Sequence, residues 1–227
     1  MLSSIQAVII DLDGTMLDTA PDFLVAINHM RAEFNLKPLT LEQIKRMVGK
    51  GSEHLIRQVL AIGLATHEAG QLFNAAMDAY QRHYLTINGN HCSLYPEVTE
   101  GLQAFRQMGL RLACVTNKPL AFAVPLMQKT GLSSYFELVY GGDSFPKKKP
   151  DPLPLLKVCQ QFALPPQHVL AIGDSSNDAI AARAAGCPVL SVPYGYNHGE
   201  PVQNIESDGI VGSLLEAAKL LNTEIQH

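Results

Sequence analysis

The stretch Ala7-Val8-Ile9-Ile10-Asp11-Leu12-Asp13-Gly14-Thr15 decides the fold, because an apolar run in it ends abruptly in two carboxylates. Four consecutive apolar residues, three of them β-branched, are typical of a strand that is buried on both faces of a parallel sheet. Open α/β sheets bind their ligands just past the carboxyl ends of such strands. Asp11 and Asp13 are therefore predicted to lie at the ligand-binding edge of a sheet.

The two aspartates favour a bound cation. Ionised carboxylates packed together at a buried strand end repel each other and are poorly hydrated unless a cation lies between them. Mg²⁺ prefers oxygen ligands and keeps several waters, so Asp11, Asp13 and one further acid would suffice. Gly14 permits a sharp turn, and Thr15 adds a hydroxyl and a backbone N–H that could bind phosphate. An ordinary acidic turn before a helix explains the same residues without any chemistry.

Length and composition exclude several classes of protein. The 227 residues exceed the common single-domain size of about 100–150, which favours a large domain or a core with an inserted module. The net charge of −4 and the single basic cluster, Lys147-Lys148-Lys149, argue against nucleic acid as a partner. No apolar run could span a bilayer, so we expect a cytoplasmic protein without a membrane partner. The four cysteines are widely spaced, which favours reduced thiols over disulfides or zinc ligands.

The segment 19–91 carries helical patterns only. Helices are predicted over 52–62 and 66–84, among others, and no strand pattern interrupts them. A helical block of this length between the first strand and the next β unit is typical of an inserted lid. We therefore predict a helical cap at 19–91 and a catalytic core formed by residues 1–18 and 92–227.

An alternation of strands and helices resumes after residue 92. Apolar strands are predicted over 110–115, 138–140, 169–172 and 189–192. Polar residues follow two of these strands, in the segments Thr116-Asn117-Lys118-Pro119 and Gly173-Asp174-Ser175-Ser176-Asn177-Asp178. The carboxyl ends of parallel strands share one edge, so these groups are predicted to lie near Asp11, with Lys149 on a loop at the same edge.

This set of residues suits phosphoryl transfer. Asp11 is the candidate nucleophile, since an aspartyl-phosphate splits one difficult displacement into two easier ones. A metal and cationic or hydroxyl donors must offset the repulsion between carboxylate and phosphate, and Mg²⁺, Thr116 and Lys149 meet that need. The leaving alcohol requires a proton and the hydrolytic water must lose one, so Asp13 is the candidate acid and base.

The four ordered segments resemble the motifs of the haloacid dehalogenase-like phosphohydrolase superfamily. They are Asp-x-Asp-Gly-Thr from Asp11, Thr116 after the second strand, Lys149-Pro150, and Gly173-Asp174-x-x-Asn177-Asp178. The resemblance implies an α/β fold, in which a Rossmann-like doubly wound parallel sheet of order 3-2-1-4-5 carries an inserted α-helical cap. It also implies that the strands before Asp11 and Asp174 are neighbours.

The resemblance implies roles for the acids as well. Asp11 would be the nucleophile and a Mg²⁺ ligand, and Asp174 a further ligand. Asp13 would be the acid and base and would lend its backbone carbonyl to the metal. Asp178 would either support the metal site or merely stabilise the amino terminus of its helix. Dehalogenases of this superfamily lack the second acid, so Asp13 favours a phosphatase or a phosphomutase.

Further segments are similar to bacterial phosphoglycolate phosphatases. They are Met47-Val48-Gly49-Lys50-Gly51, Val115-Thr116-Asn117-Lys118-Pro119, Gly141-Gly142-Asp143, Lys148-Lys149-Pro150-Asp151-Pro152 and Tyr194-Gly195-Tyr196-Asn197. The similarity implies Mg²⁺-dependent hydrolysis of 2-phosphoglycolate, with Gly14, Thr15 and Asn117 at the substrate.

Lys50, in the predicted cap, is a candidate partner of the substrate carboxylate. The loop around it would face the core site and exclude water when closed. A solvent-exposed lysine without a role is the plainer interpretation, and His54 and Arg57 are alternative partners.

Two other functions stay open at this point. One is a phosphatase or phosphomutase for another small sugar phosphate, and the other is a non-catalytic binding protein on the same fold. The presence of Asp11, Asp13, Lys149 and Asp174 together favours an enzyme whose partner is a small phosphomonoester.

Overall fold

A six-stranded parallel sheet forms the centre of the computed structural model, which describes residues 4–225. The strands of the chain are β1 (Ala7–Ile10), β2 (Leu17–Asp18), β3 (Ser93–Leu94), β4 (Arg111–Val115), β5 (Leu138–Tyr140), β6 (Val169–Gly173), β7 (Val189–Ser191) and β8 (Gly209–Ile210). The order across the large sheet is β5-β4-β1-β6-β7-β8. Counted within this sheet alone, the order is 3-2-1-4-5-6, which confirms the predicted arrangement and adds a sixth strand.

The added strand, β8, was not predicted. It is two residues long and pairs with β7 at the edge of the sheet. A pattern of alternating or continuous apolar residues needs at least four positions, so a strand this short leaves no signal in the sequence.

The register of β1 with its neighbours sets the position of the site. Ile10 pairs with Cys114 of β4 on one side and with Ile172 of β6 on the other. The polar residues that follow these three strands therefore emerge at one edge of the sheet, as the sequence predicts.

Helices cover both faces of the sheet and form a separate layer above its carboxyl edge. They are α1 (Ala20–Glu33), α2 (Leu41–Lys45), α3 (Ser52–Ala61), α4 (Thr66–Ile87), α5 (Val98–Gln107), α6 (Leu120–Lys129), α7 (Leu153–Phe162), α8 (Ser176–Ala185) and α9 (Leu214–Ile225). Successive side chains of β1 point to opposite faces. Val8 and Ile10 pack in the layer with α5, α6 and α9, whereas Ala7 and Ile9 pack with α7 and α8.

We call α1–α4, with their connecting loops, the helical segment. It has a hydrophobic core of its own, built from buried side chains such as Ile27, Ile56 and Tyr84. Arg31 is buried within it and donates to the carbonyls of Lys37, Val59 and Ile62, which satisfy the buried guanidinium. The exact division between core and cap remains a prediction.

Two short strands join the helical segment to the rest of the chain. β2 and β3 pair antiparallel, with Leu17 opposite Leu94 and Asp18 opposite Ser93. The buried carboxylate of Asp22 accepts hydrogen bonds of 2.7 Å from the backbone N–H groups of Gly89 and His91, which fastens the two connections to each other. Among the helices that the structure describes, none is long and apolar enough to cross a membrane.

Candidate active site

Asp11 lies directly after β1 with its carboxylate almost fully buried. Its Oδ1 atom is 2.9 Å from the Nζ atom of Lys149. Burial raises the pKa of Asp11 well above its ordinary value, and the carboxylates of Asp178 and Asp174 raise it further, while Lys149 opposes both effects. Burial and the neighbouring acids therefore disfavour the ionised form of this carboxyl, and Lys149 favours it.

Asp11 belongs to a cluster with Asp174 and Asp178. Carboxylate oxygens of the three residues lie within 4.8 Å of one another. Asp174 is held in place by Thr15 Oγ1, at 3.1 Å, and by the backbone N–H of Tyr196, at 2.7 Å. Burial, reinforced by the neighbouring Asp178, raises the pKa of Asp174 to about 7.

Asp178 both caps its helix and belongs to the acidic cluster. Its carboxylate accepts hydrogen bonds from the hydroxyl and the backbone N–H of Ser175, at 2.7 and 3.2 Å, and so caps α8. The same carboxylate lies 2.6 Å from Lys149 Nζ and belongs to the acidic cluster. Direct ligation of a metal by Asp178 stays a prediction.

Lys149 is a buried ammonium that links the acids to the sheet. Its Nζ atom donates to the Val115 carbonyl and to Asp178, both at 2.6 Å. Burial alone would lower the pKa of Lys149, but the Asp11 and Asp178 carboxylates outweigh it and raise that pKa above its ordinary value. Lys149 therefore stays charged.

Asp13 faces a different environment from Asp11. Its Oδ1 atom accepts hydrogen bonds from Thr19 Oγ1, at 2.6 Å, and from the buried ammonium of Lys118, at 2.9 Å. Its carboxylate is not part of the three-membered cluster. The two aspartates predicted to share a metal thus differ in surroundings, and a contribution of Asp13 through its backbone carbonyl remains a prediction.

The residues expected at the substrate mostly position other groups. Gly14 has a φ of +88°, and a Cβ there would meet the Asp174 carboxylate, so only glycine permits this close approach. The Thr15 hydroxyl is committed to Asp174. Asn117 Nδ2 donates to the Gly49 carbonyl, at 3.0 Å, and to the Lys149 carbonyl, at 2.8 Å. Direct contact of these side chains with a substrate stays a prediction.

A small cavity separates the strand ends from the helical segment. Its volume is about 30 Å³, and it has Asp11, Asp13, Thr116 and Lys118 on the sheet side. Aromatic side chains also line it, from Phe23 and Tyr84 of the helical segment and from Phe122 of α6. The buried Thr116 accepts a hydrogen bond from the Lys118 backbone N–H through its hydroxyl, at 3.1 Å.

The loop before α3 closes this cavity. The carbonyl of Gly49 accepts hydrogen bonds from Asn117 Nδ2 and, at 3.3 Å, from Asn177 Nδ2. Asn177 also contacts His198 Nε2 at 3.1 Å. Two residues of the sheet edge therefore fix the loop of the helical segment that lies over Asp11.

Comparison with known proteins identifies the family. The model of the haloacid dehalogenase-like hydrolases matches residues 8–192, which is most of the chain and includes every polar strand end described above. The chain belongs to that family. The curated relatives of this hydrolase include phosphoglycolate phosphatases from Thiobacillus denitrificans and Nitrosospira multiformis. Each is 50% identical to it, with 96% of both chains covered.

Solved structures agree with this assignment. The crystal structure of a predicted phosphoglycolate phosphatase from Haemophilus somnus matches the hydrolase with a TM-score of 0.90 and 31% identity. The match covers 97% of this chain and 99% of that one. The arrangement of sheet and helical segment is therefore shared along nearly the whole length.

The acidic cluster of the hydrolase fits a divalent cation. Within residues 4–225, Asp11 Oδ1 is buried and accepts no hydrogen bond, although Lys149 lies close enough for an ion pair. Four buried carboxylates face two buried ammonium groups here; they are Asp11, Asp13, Asp174 and Asp178 against Lys118 and Lys149. A dication would neutralise this excess and take the free lone pair.

Lys50 of the hydrolase is not brought to the cavity. Its side chain is exposed and lines an open groove beside the site, together with His54, Arg57 and Lys148. Arg57 forms an exposed ion pair of 2.9 Å with Glu53. Contact of Lys50 with a substrate stays a prediction, and the groove that it lines also contains Lys149 and Asn177.

Two residues of the site were missed in the sequence. Lys118 forms a buried ion pair with Asp13. The sequence contains a signal for this pair, since a lysine that closely follows a buried strand requires a partner of opposite charge. Tyr196 donates its backbone N–H to Asp174 and accepts hydrogen bonds with its hydroxyl from the backbone N–H groups of Thr19 and Ala20. These partners lie far apart in the chain, and no local pattern predicts them.

Proposed function

We propose that this hydrolase is a Mg²⁺-dependent phosphatase that converts 2-phosphoglycolate and water to glycolate and inorganic phosphate. The observation that carries the proposal is the buried carboxylate of Asp11, which is ion-paired to Lys149, clusters with Asp174 and Asp178, and lines a small cavity. The relatives that are 50% identical over nearly the whole chain and are named phosphoglycolate phosphatases support the choice of substrate.

Asp11 is the nucleophile in this proposal. Its carboxylate oxygen attacks phosphorus, the bond between phosphorus and the ester oxygen breaks, and an aspartyl-phosphate forms. Asp13 gives its proton to the departing ester oxygen, so glycolate leaves as an alcohol. Asp13 then takes a proton from water as the water oxygen attacks phosphorus, which releases phosphate and restores the Asp11 carboxylate.

The charged neighbours of Asp11 serve the same two steps. Lys149 and the hydroxyl of Thr116 stabilise negative charge on the phosphoryl oxygens. Asp11, Asp174 and the backbone carbonyl of Asp13 would hold Mg²⁺, with Asp178 beside them. When bound, the ion offsets the repulsion between the nucleophilic carboxylate and the phosphate dianion.

The helical segment acts as a cap in this proposal, with residues 1–18 and 92–227 forming the core. Its loop around Gly49 excludes water from the aspartyl-phosphate when it is closed.

Phosphate release from a panel of esters tests the proposed function. The panel contains 2-phosphoglycolate, two sugar phosphates and an aryl phosphate, each with Mg²⁺ and with a chelator. We expect a metal-dependent kcat/KM that is highest for 2-phosphoglycolate. A preference for a sugar phosphate, or an isomerised sugar phosphate among the products, would replace the proposed substrate. If no ester releases phosphate, the protein is a non-catalytic binding protein instead.

A further inference from the structure

The ammonium of Lys118 has donors left over in a place where water has little access. Its side chain is 2% exposed. Within residues 4–225, the Nζ atom donates one hydrogen bond, to Asp13. A lysine ammonium carries three N–H donors. The rings of Phe23 and Tyr84 lie beside it, with their centroids 4.4 and 4.9 Å from Nζ, and Lys118 also lines the cavity.

The aromatic neighbours hold the ammonium without satisfying it. A cation over a ring face is attracted by the ring quadrupole, but the contact replaces no hydrogen bond. Phe23 and Tyr84 are stacked, with centroids 5.1 Å apart and an angle of 9° between the rings, so the pair forms a rigid wall. The ammonium is therefore fixed in direction, and an anion in the cavity is the natural acceptor for its unused donors.

Tyr84 lines the same cavity and carries a second unused group. The side chain is completely buried, and its hydroxyl has no hydrogen-bond partner among the residues that the structure describes. A buried hydroxyl without a partner is unfavourable, so such groups are rare unless a ligand completes them. Burial raises the pKa of Tyr84 well above its ordinary value, so the hydroxyl is present as a donor.

We propose that Lys118 and Tyr84 form the subsite for the carboxylate of the substrate. The proposal rests on the proposed function and deepens it: the phosphoryl group lies at Asp11, and the second anionic group of a short ester extends to the part of the cavity where Lys118 meets Phe23 and Tyr84. There Lys118 and the Tyr84 hydroxyl donate to it. A sugar hydroxyl would leave the ammonium without an anion, which accounts for selection of a phosphorylated small acid.

The test compares two esters of equal chain length. They are 2-phosphoglycolate and 2-hydroxyethyl phosphate, in which a neutral hydroxymethyl group replaces the carboxylate. The ratio of their kcat/KM values isolates recognition of the carboxylate, because any change in the shared chemistry of Asp11 and Asp13 cancels.

Tyr84→Phe removes only the hydroxyl and keeps the stacked ring. We expect the ratio to fall about fivefold through a higher KM for 2-phosphoglycolate. Lys118→Met keeps the length of the side chain without its charge, and we expect a fall of at least about tenfold. Tyr135→Phe, which removes an exposed hydroxyl bonded to Gln103 away from the cavity, is the matched control and keeps the ratio of the wild type.

The outcomes separate the two proposals. A wild-type enzyme that does not prefer 2-phosphoglycolate over the neutral ester refutes both the substrate and the subsite. A wild-type enzyme with that preference and an unchanged ratio in both variants refutes the subsite alone. Tyr84→Phe retains the ring packing, so its result decides the question even if Lys118→Met fails to fold.

Discussion

The two sides of the cavity are built in opposite ways. On the sheet side, charged groups follow three adjacent strands and neutralise one another, as Lys149 does between Asp11 and Asp178. On the side of the helical segment, the wall is aromatic, and the buried Tyr84 hydroxyl is left without a partner among the described residues. The sheet side has a charge excess that fits a cation, whereas the helical side presents an uncharged aromatic wall with one unpaired hydroxyl.

This difference assigns different consequences to mutation. A change on the sheet side should affect the turnover of every phosphate ester, because each ester meets the same nucleophile. A change on the helical side should affect which ester is preferred. The following predictions test this division, beginning with the largest expected effect.

Asp11→Asn should abolish phosphate release from all esters, with kcat lower by at least about 10³-fold, because an amide does not form the acyl phosphate. The variant should remain folded, since a neutral side chain suits this buried position. Steady-state phosphate release and circular dichroism check both points. Asp78→Asn, at an exposed position, is the control and should match the wild type. Substantial turnover by Asp11→Asn would remove the nucleophile assignment.

The metal-free protein should lose stability as the pH rises from about 4 to about 7, because Asp174 has its pKa raised to about 7 by burial and by Asp178. Between these pH values, Asp174 of the folded protein keeps a proton that the unfolded chain has released. The free energy of unfolding is therefore greatest below the pKa that Asp174 has in the unfolded chain. The loss is up to about 4 kcal/mol over this range. Mg²⁺ competes with that proton and should therefore stabilise the protein more at about pH 8 than at about pH 5.

Urea unfolding with a chelator and with Mg²⁺ at both pH values measures this effect. Asp174→Asn should flatten the pH dependence and weaken the response to Mg²⁺. Equal stabilisation by Mg²⁺ at both pH values would contradict a metal site at these carboxylates.

Asn117→Ala should lower kcat/KM about tenfold and destabilise the protein by about 1–2 kcal/mol, because the carbonyls of Gly49 and Lys149 lose a donor. The loss should be similar for all esters, since the loop over Asp11 serves each of them. Kinetics on the ester panel and thermal unfolding measure both effects. Asn204→Ala, at an exposed position, is the control. A loss confined to 2-phosphoglycolate would instead make Asn117 a contact of the substrate.

Lys50→Ala should change kcat/KM by less than about twofold, because an exposed charge outside the cavity is screened by solvent. KM for 2-phosphoglycolate could instead rise much more than KM for 2-hydroxyethyl phosphate. Lys50 would then be a partner of the substrate carboxylate, and the helical segment would recognise its ligand through a positive charge.

The sequence predicts the sheet side well and the helical side poorly, for a physical reason. Asp11, Thr116 and Asp174 each follow a buried strand, and the rule that parallel strands share a carboxyl edge brings them together without further information. The position of Tyr84 instead depends on how α4 packs against α1 and against the core. That packing is decided by contacts between residues far apart in the chain.

The antiparallel pairing of β2 with β3 also bears on how this architecture could diversify. The two ends of the inserted segment leave the core side by side, at Leu17 and Leu94. Adjacent antiparallel strands can be joined by a two-residue turn, so the core does not need the inserted chain to close its own path. A helical insertion of another size or shape can occupy the same junction without disturbing the sheet. The pairing thus allows one helical insertion to replace another while the strands of the core stay unchanged.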